Sequence, residues 1–174
     1  MGGMSFSALN PMNWFSNETL TVSANGLGNI TASTAVTEQA IEKELGSRFH
    51  YRQGMEMQQG NIMVIVQALE DEKVQVAFYG QEKGTVDKIT VSDPNAKTAW
   101  GTTIGTPFKD IYKKAFGMCS NGPKIDKQKT IQCQSEQAKS VSYVFAGQWY
   151  GPDGLMPPDE TLANWQVTQI VWQK

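Results

Sequence analysis

Residues 103–117 read TIGTPFKDIYKKAFG, and they carry the marks of a complete helix. Thr106 is placed to accept a hydrogen bond from the free N–H groups of a first turn. Pro107 suits the first helical position, where its missing N–H is no loss. Phe108, Ile111, Tyr112, Ala115 and Phe116 recur at i, i+3, i+4, i+7 and i+8, one apolar stripe. Gly117 supplies the left-handed residue that ends a helix. The spacing therefore predicts a capped helix over 106–117.

A weaker version of the same plan precedes it. STAVTEQAIEKELG, residues 33–46, opens on the hydroxyl residues Ser33 and Thr34 and ends in Gly46. Val36, Ala40, Ile41 and Leu45 form its inner face, and Glu38, Glu42, Lys43 and Glu44 its outer one. Strands are expected after each helix: Phe49 to Met57, Ile62 to Leu69, Val74 to Tyr79 and Val86 to Val91 after the first. Ile131 to Ser135, Val141 to Trp149 and Val167 to Trp172 follow the second. Leu27 to Thr31 reads as one further short strand. VQVAFYG at 74–80 lies over VSYVFAG at 141–147 with Val, Phe and Gly in register.

These matches predict an α+β fold, mostly antiparallel β, built from two related halves at about 26–93 and 100–174. Each half is a capped helix plus strands. A β-sandwich-like packing of two sheets is the alternative. Residues 26–174 are expected to form a single globular domain, because a few strands under one short helix cannot close a core alone. Residues 1–25 read as an extended tether carrying the aromatic residues Phe6, Trp14 and Phe15. Met1-Gly2-Gly3 ahead of Met4 resembles a start that replaces a removed leader.

Composition narrows the function classes. With 174 residues, 40% hydrophobic and 18% charged, the chain suits a folded domain. A formal net charge of -2 with no dense basic cluster gives no footprint for nucleic acid. His50 is the only histidine. With Tyr51 and Arg52 it could hold an anion, although a solvated strand histidine is the plainer reading. No catalytic, metal or cofactor-binding residues are assigned, because no nucleophile–base pair, HExxH, GxSxG or phosphate loop is present. Gly26-Leu27-Gly28 is too short for a dinucleotide fingerprint.

Cys119 and Cys133 are the only cysteines. Their spacing is too wide for a CxxC redox pair, and one histidine leaves too few soft ligands for zinc. They read either as a disulfide across a polar loop or as two reduced thiols, according to compartment. Trp149 and Tyr150, leading into GPDGLMPPDE, are the candidate partner surface, with packing over a sheet edge as the competing reading. Asp153, Asp159 and Glu160 in that loop are the carboxylates an enzymatic alternative would use.

NPMNWF, NITASTAVTEQAI, IGTPFKDIYKKAFGMC and GPDGLMPPDETLANWQV together resemble the RpoE-regulated lipoprotein family of enteric and related Gram-negative bacteria. The resemblance implies a location in the cell envelope, as an outer-membrane lipoprotein facing the periplasm and expressed under envelope stress. It implies membrane attachment through an N-terminal lipid anchor on a cysteine upstream of this chain. An envelope protein is the expected partner, and the family supplies no catalytic residues. The periplasm is oxidising, so the resemblance also implies a Cys119–Cys133 disulfide.

Overall fold

The computed structural model describes residues 20–152 and 154–174. From Leu20 the chain makes three short strands, β1 (Thr21–Ser23), β2 (Gly26–Leu27) and β3 (Ile30–Thr31), before helix α1 (Glu38–Leu45). Four strands follow as a meander: β4 (His50–Gln58), β5 (Asn61–Glu70), β6 (Lys73–Gln81) and β7 (Val86–Val91). After the short β8 (Lys97–Thr98) come β9 (Cys119–Asn121), β10 (Lys129–Gln134) and β11 (Val141–Gly147). Helix α2 (Asp159–Leu162) and β12 (Gln166–Gln173) complete the order. The fold is mostly antiparallel β with few helices, in two sheets. The larger has eight strands in the order β9-β10-β11-β12-β7-β6-β5-β4, and the smaller has the order β3-β2-β1-β8.

Alternation along the long strands decides which face is covered. Val64, Val66 and Ala68 on β5, Val76 and Phe78 on β6, and Tyr143 and Phe145 on β11 point to one side and are buried there. That side is roofed by α1, the small sheet and the segments carrying Phe108, Tyr112, Leu162 and Trp165, all in the same core. The two meanders meet at the middle of the large sheet, where Ile170 faces Val91 and Trp172 faces Ile89. Trp172 also donates from Nε1 to the Ala24 carbonyl at 2.9 Å, tying the small sheet to this joint.

The stretch at 103–117 is not a helix. Its backbone groups are taken by the segment that leads into β12: Gly105 N donates to Val167 O, Phe108 N to Trp165 O and Lys109 N to Ala163 O. Those cross-chain bonds hold Thr106 and Pro107 extended, and only one 3-10 turn, Phe108–Asp110, survives. Thr106 caps nothing helical; its hydroxyl accepts from Thr103 N at 3.2 Å. Phe108, Tyr112 and Ala115 are buried as the stripe requires, but Phe116 is 86% exposed. Gly117 does take a left-handed φ of 83°, at a turn where Ala115 O accepts from Met118 N and Cys119 N.

The first helix forms, shorter than expected, with Thr37 rather than Ser33 or Thr34 as its cap: Thr37 Oγ1 accepts from Ala40 N at 3.2 Å. Leu27 to Thr31 is not one strand but the hairpin of β2 and β3. Residues ahead of Gly26 also pack into the core, since Val22 on β1 is fully buried. Residues 1–19, which include Phe6, Trp14 and Phe15, lie outside the described residues.

Candidate partner surface

Trp149 and Tyr150 do not act as a pair. Trp149 lies partly buried against the core, and its ring rests on the backbone of Gly151, where a Cβ would come within 2.1 Å of it. Tyr150 points away and is 93% exposed. β11 ends at Gly147, so both aromatics belong to the loop after the strand. Among the loop carboxylates, Asp159 is engaged structurally: its Oδ1 accepts from Ala115 N at 2.9 Å. Glu160 is exposed, and Asp153 lies outside the described residues. His50 is exposed at the start of β4, an edge strand.

Cys119 and Cys133 stand directly opposite each other on β9 and β10, with Sγ atoms 1.98 Å apart. They form a disulfide-capable pair that fastens the short edge strand β9 to the sheet. The link closes 14 residues of sequence separation.

The buried charge of the molecule is engaged elsewhere. Asp93, 1% exposed, accepts from Arg48 Nη2 at 2.8 Å and from Asn95 N at 2.9 Å. Arg48 also grips Glu70 through Nε and Nη2, both at 3.2 Å, and lies 4.7 Å over the Phe49 ring. The hydrogen bond from Arg48 holds the Glu70 carboxyl below its ordinary range, and the same bond raises Arg48. The cluster clamps the segment after α1 to the ends of β5 and β7. Tyr51, whose hydroxyl donates to Gly46 O at 2.6 Å, is pushed up to about 12 by burial, with the Glu42 charge adding to it. Tyr112, donating to Gln134 O, is raised by burial, with Tyr143 and Glu136 contributing.

Two surface features lay outside the sequence reading. The β4–β5 hairpin runs beyond its roof. Met57 faces Ile62 and Met55 faces Val64 across the two strands, on the side that is core further along. Here nothing among the described residues covers them, and Met55, Met57 and Ile62 are 58%, 66% and 42% exposed. Glu38, Gln39 and Glu42 of α1 form the other wall of a cleft with Gln53, Gly54 and Met55. The alternation of Met55, Met57 and Ile62 was visible in the sequence; that α1 stops short of them was not. The second feature is Phe116, standing out beside the exposed Lys113 and Lys114.

Among the described residues, no three His, Cys, Asp or Glu side chains gather as a metal site, and no helix is long and apolar enough to cross a membrane. The chain is 40% identical over 174 residues to the uncharacterized protein YfeY of Escherichia coli strain K12, covering all of this chain and 90% of that protein. It is also similar to the crystal structure of the uncharacterized protein yfeY from Escherichia coli. That likeness has a TM-score of 0.79 at 39% identity, over 88% of this chain and 99% of the other. A family model described as a protein of unknown function, DUF1131, matches residues 3–174. The chain belongs to the DUF1131 family.

Proposed function

We propose that this protein is a non-enzymatic, partner-binding domain of the cell envelope, carried as an outer-membrane lipoprotein facing the periplasm and made under envelope stress. The uncovered face of the β4–β5 hairpin carries the binding half of the reading. Three large apolar side chains stand in solvent on one side of a regular hairpin, next to an acidic helix wall. Exposed apolar clusters rimmed by polar residues mark protein or membrane contacts and ligand grooves. The cystine-forming pair on an edge strand supports an oxidising compartment. The family resemblance supports the lipid anchor and the envelope.

Two measurements test the reading. Fractionation of cells making the protein from its own gene should place it with outer membranes, and recovery in the cytosol would refute the location. A photoreactive amino acid at Met57 should crosslink to protein in intact cells, whereas the same probe at the exposed Glu82 should not. Equal or absent crosslinking at both positions refutes the binding surface.

We also infer that the two meanders descend from one duplicated unit. Their strand order recurs about the β7–β12 joint. The sequence overlay sits two residues off the pairing, however, since Phe78 faces Ile89 whereas Tyr143 faces Ile170. Only the first half has its helix in the expected place. Superposing the meanders in a relative's crystal structure tests the idea, and different strand handedness in the two would reject it.

A further inference from the structure

The hairpin cleft and the Phe116 projection are opposites in shape and in charge. We propose that Phe116 of one copy seats between the hairpin and α1 of a second copy, so that the protein associates head to tail. This deepens the partner-binding reading above and rests on it.

The projection is built to be presented. Ala115 is held through its N–H by Asp159 and through its carbonyl by Met118 and Cys119, so the residue before Phe116 is fixed on both sides. A backbone fixed before contact loses little freedom on binding. Lys113 and Lys114 flank it, and neither forms an ion pair within the described chain. The cleft is about 520 Å³, with Met55 in its wall and Met57 and Ile62 beyond. Methionine surfaces adapt to an inserted aromatic ring and gain sulfur–ring contacts. Glu38 and Glu42 on the opposite wall likewise have no cationic partner among the described residues, and they would meet the two lysines.

The wider charge pattern points the same way. Residues 36–93 hold ten carboxylates against six Lys and Arg, and residues 100–150 hold seven lysines against three carboxylates. One copy cannot satisfy both features, because they lie at opposite edges of the eight-stranded sheet. Seven strand spacings separate the two edge strands by about 34 Å along the sheet. Residues 1–19 contain no Lys or Arg, so that segment has no cationic side chain to offer Glu38 and Glu42. Because the contact joins two different patches, it leaves one of each free and can propagate.

The experiment is sedimentation of the oxidised protein across a range of concentrations at low and high salt. Wild type should self-associate at low salt and dissociate as salt rises. Phe116→Ser and Met57→Ser should each weaken association by about ten-fold or more, the effect of losing one interface anchor. Mixing the Phe116→Ser chain, which keeps its cleft, with the Met57→Ser chain, which keeps its projection, should give dimers that grow no further. Lys113→Glu with Lys114→Glu should abolish association, and adding Glu38→Lys with Glu42→Lys in the same chain should restore it. Wild type that stays monomeric, or variants that associate as wild type does, overturns the proposal. So does Lys113- and Lys114-dependent binding to vesicles of anionic phospholipid without self-association. A crosslink from Met57 to a different protein, with no self-association, would sink this inference while leaving the partner-binding reading standing.

Discussion

At the scale of single residues, burial rather than periodicity sets what a substitution does. Phe108 is 1% exposed and packs 5.3 Å from both the Tyr112 and Phe145 rings, so Phe108→Ala should cost about 3–5 kcal/mol. Phe116→Ala should leave stability almost unchanged, since its ring is already in solvent. Urea unfolding of the two variants checks both expectations, and equal losses would mean that Phe116 is covered. Arg48→Gln leaves Asp93 buried without its cation, at a cost of about 3–5 kcal/mol. The same clamp gives a pH dependence. Glu70 is depressed in the folded state, so its contribution is present above its unfolded value, near 4.3, and is lost as pH falls through the folded one. Tyr51 is raised, so its contribution is complete below about pH 10 and is lost as pH rises toward about 12. Stability measured against pH should fall at both limits, and in Tyr51→Phe the alkaline fall should be smaller.

At the scale of elements, strands were legible and the coil at 103–117 was not. β5, β6, β7 and β12 lie where their β-branched alternation puts them, because alternation reports directly on a sheet with one face roofed. The segment at 106–117 has a helical pattern too, and its stripe is honoured at Phe108, Tyr112 and Ala115. The stripe reports only that these residues reach the core. Backbone bonds to Ala163, Trp165 and Val167 outcompete an intrahelical ladder, and those partners lie more than fifty residues away, beyond any local signal. The Arg48–Asp93 clamp and the bare hairpin face were hidden for the same reason: each depends on where distant elements stop. For α1, Thr37→Ala should cost about 1 kcal/mol, read by thermal unfolding, because Thr37 supplies the cap. For β9, replacing Cys119 and Cys133 with Ser should cost roughly 3 kcal/mol, the entropy of a loop of about fifteen residues. Ellman titration of the unreduced, denatured wild type should find no free thiol.

At the scale of the whole molecule, the two sheets and the coil between them share one core, so the protein should unfold in a single step. Fluorescence of Trp165 and Trp172 and the circular dichroism of the sheet should give the same midpoint; separated midpoints would show that the meanders melt independently. A chain starting at Gly26 should melt well below wild type, since it loses the Val22 side chain from the core and the Ala24 carbonyl that Trp172 and Ser140 bond. The joint between β7 and β12 carries a different consequence, one of timing. β7 ends at Val91, and the strand that pairs with its free side begins at Gln166. During synthesis at about 5–20 residues per second, the nascent chain therefore emerges with the first meander complete and one long edge unpaired. The sheet is sealed at its centre, not at its rim, by a strand made long after the one it pairs with. A chain translocated through a membrane before β12 had been made would reach the far side unable to lock, and so would remain threadable until that strand followed.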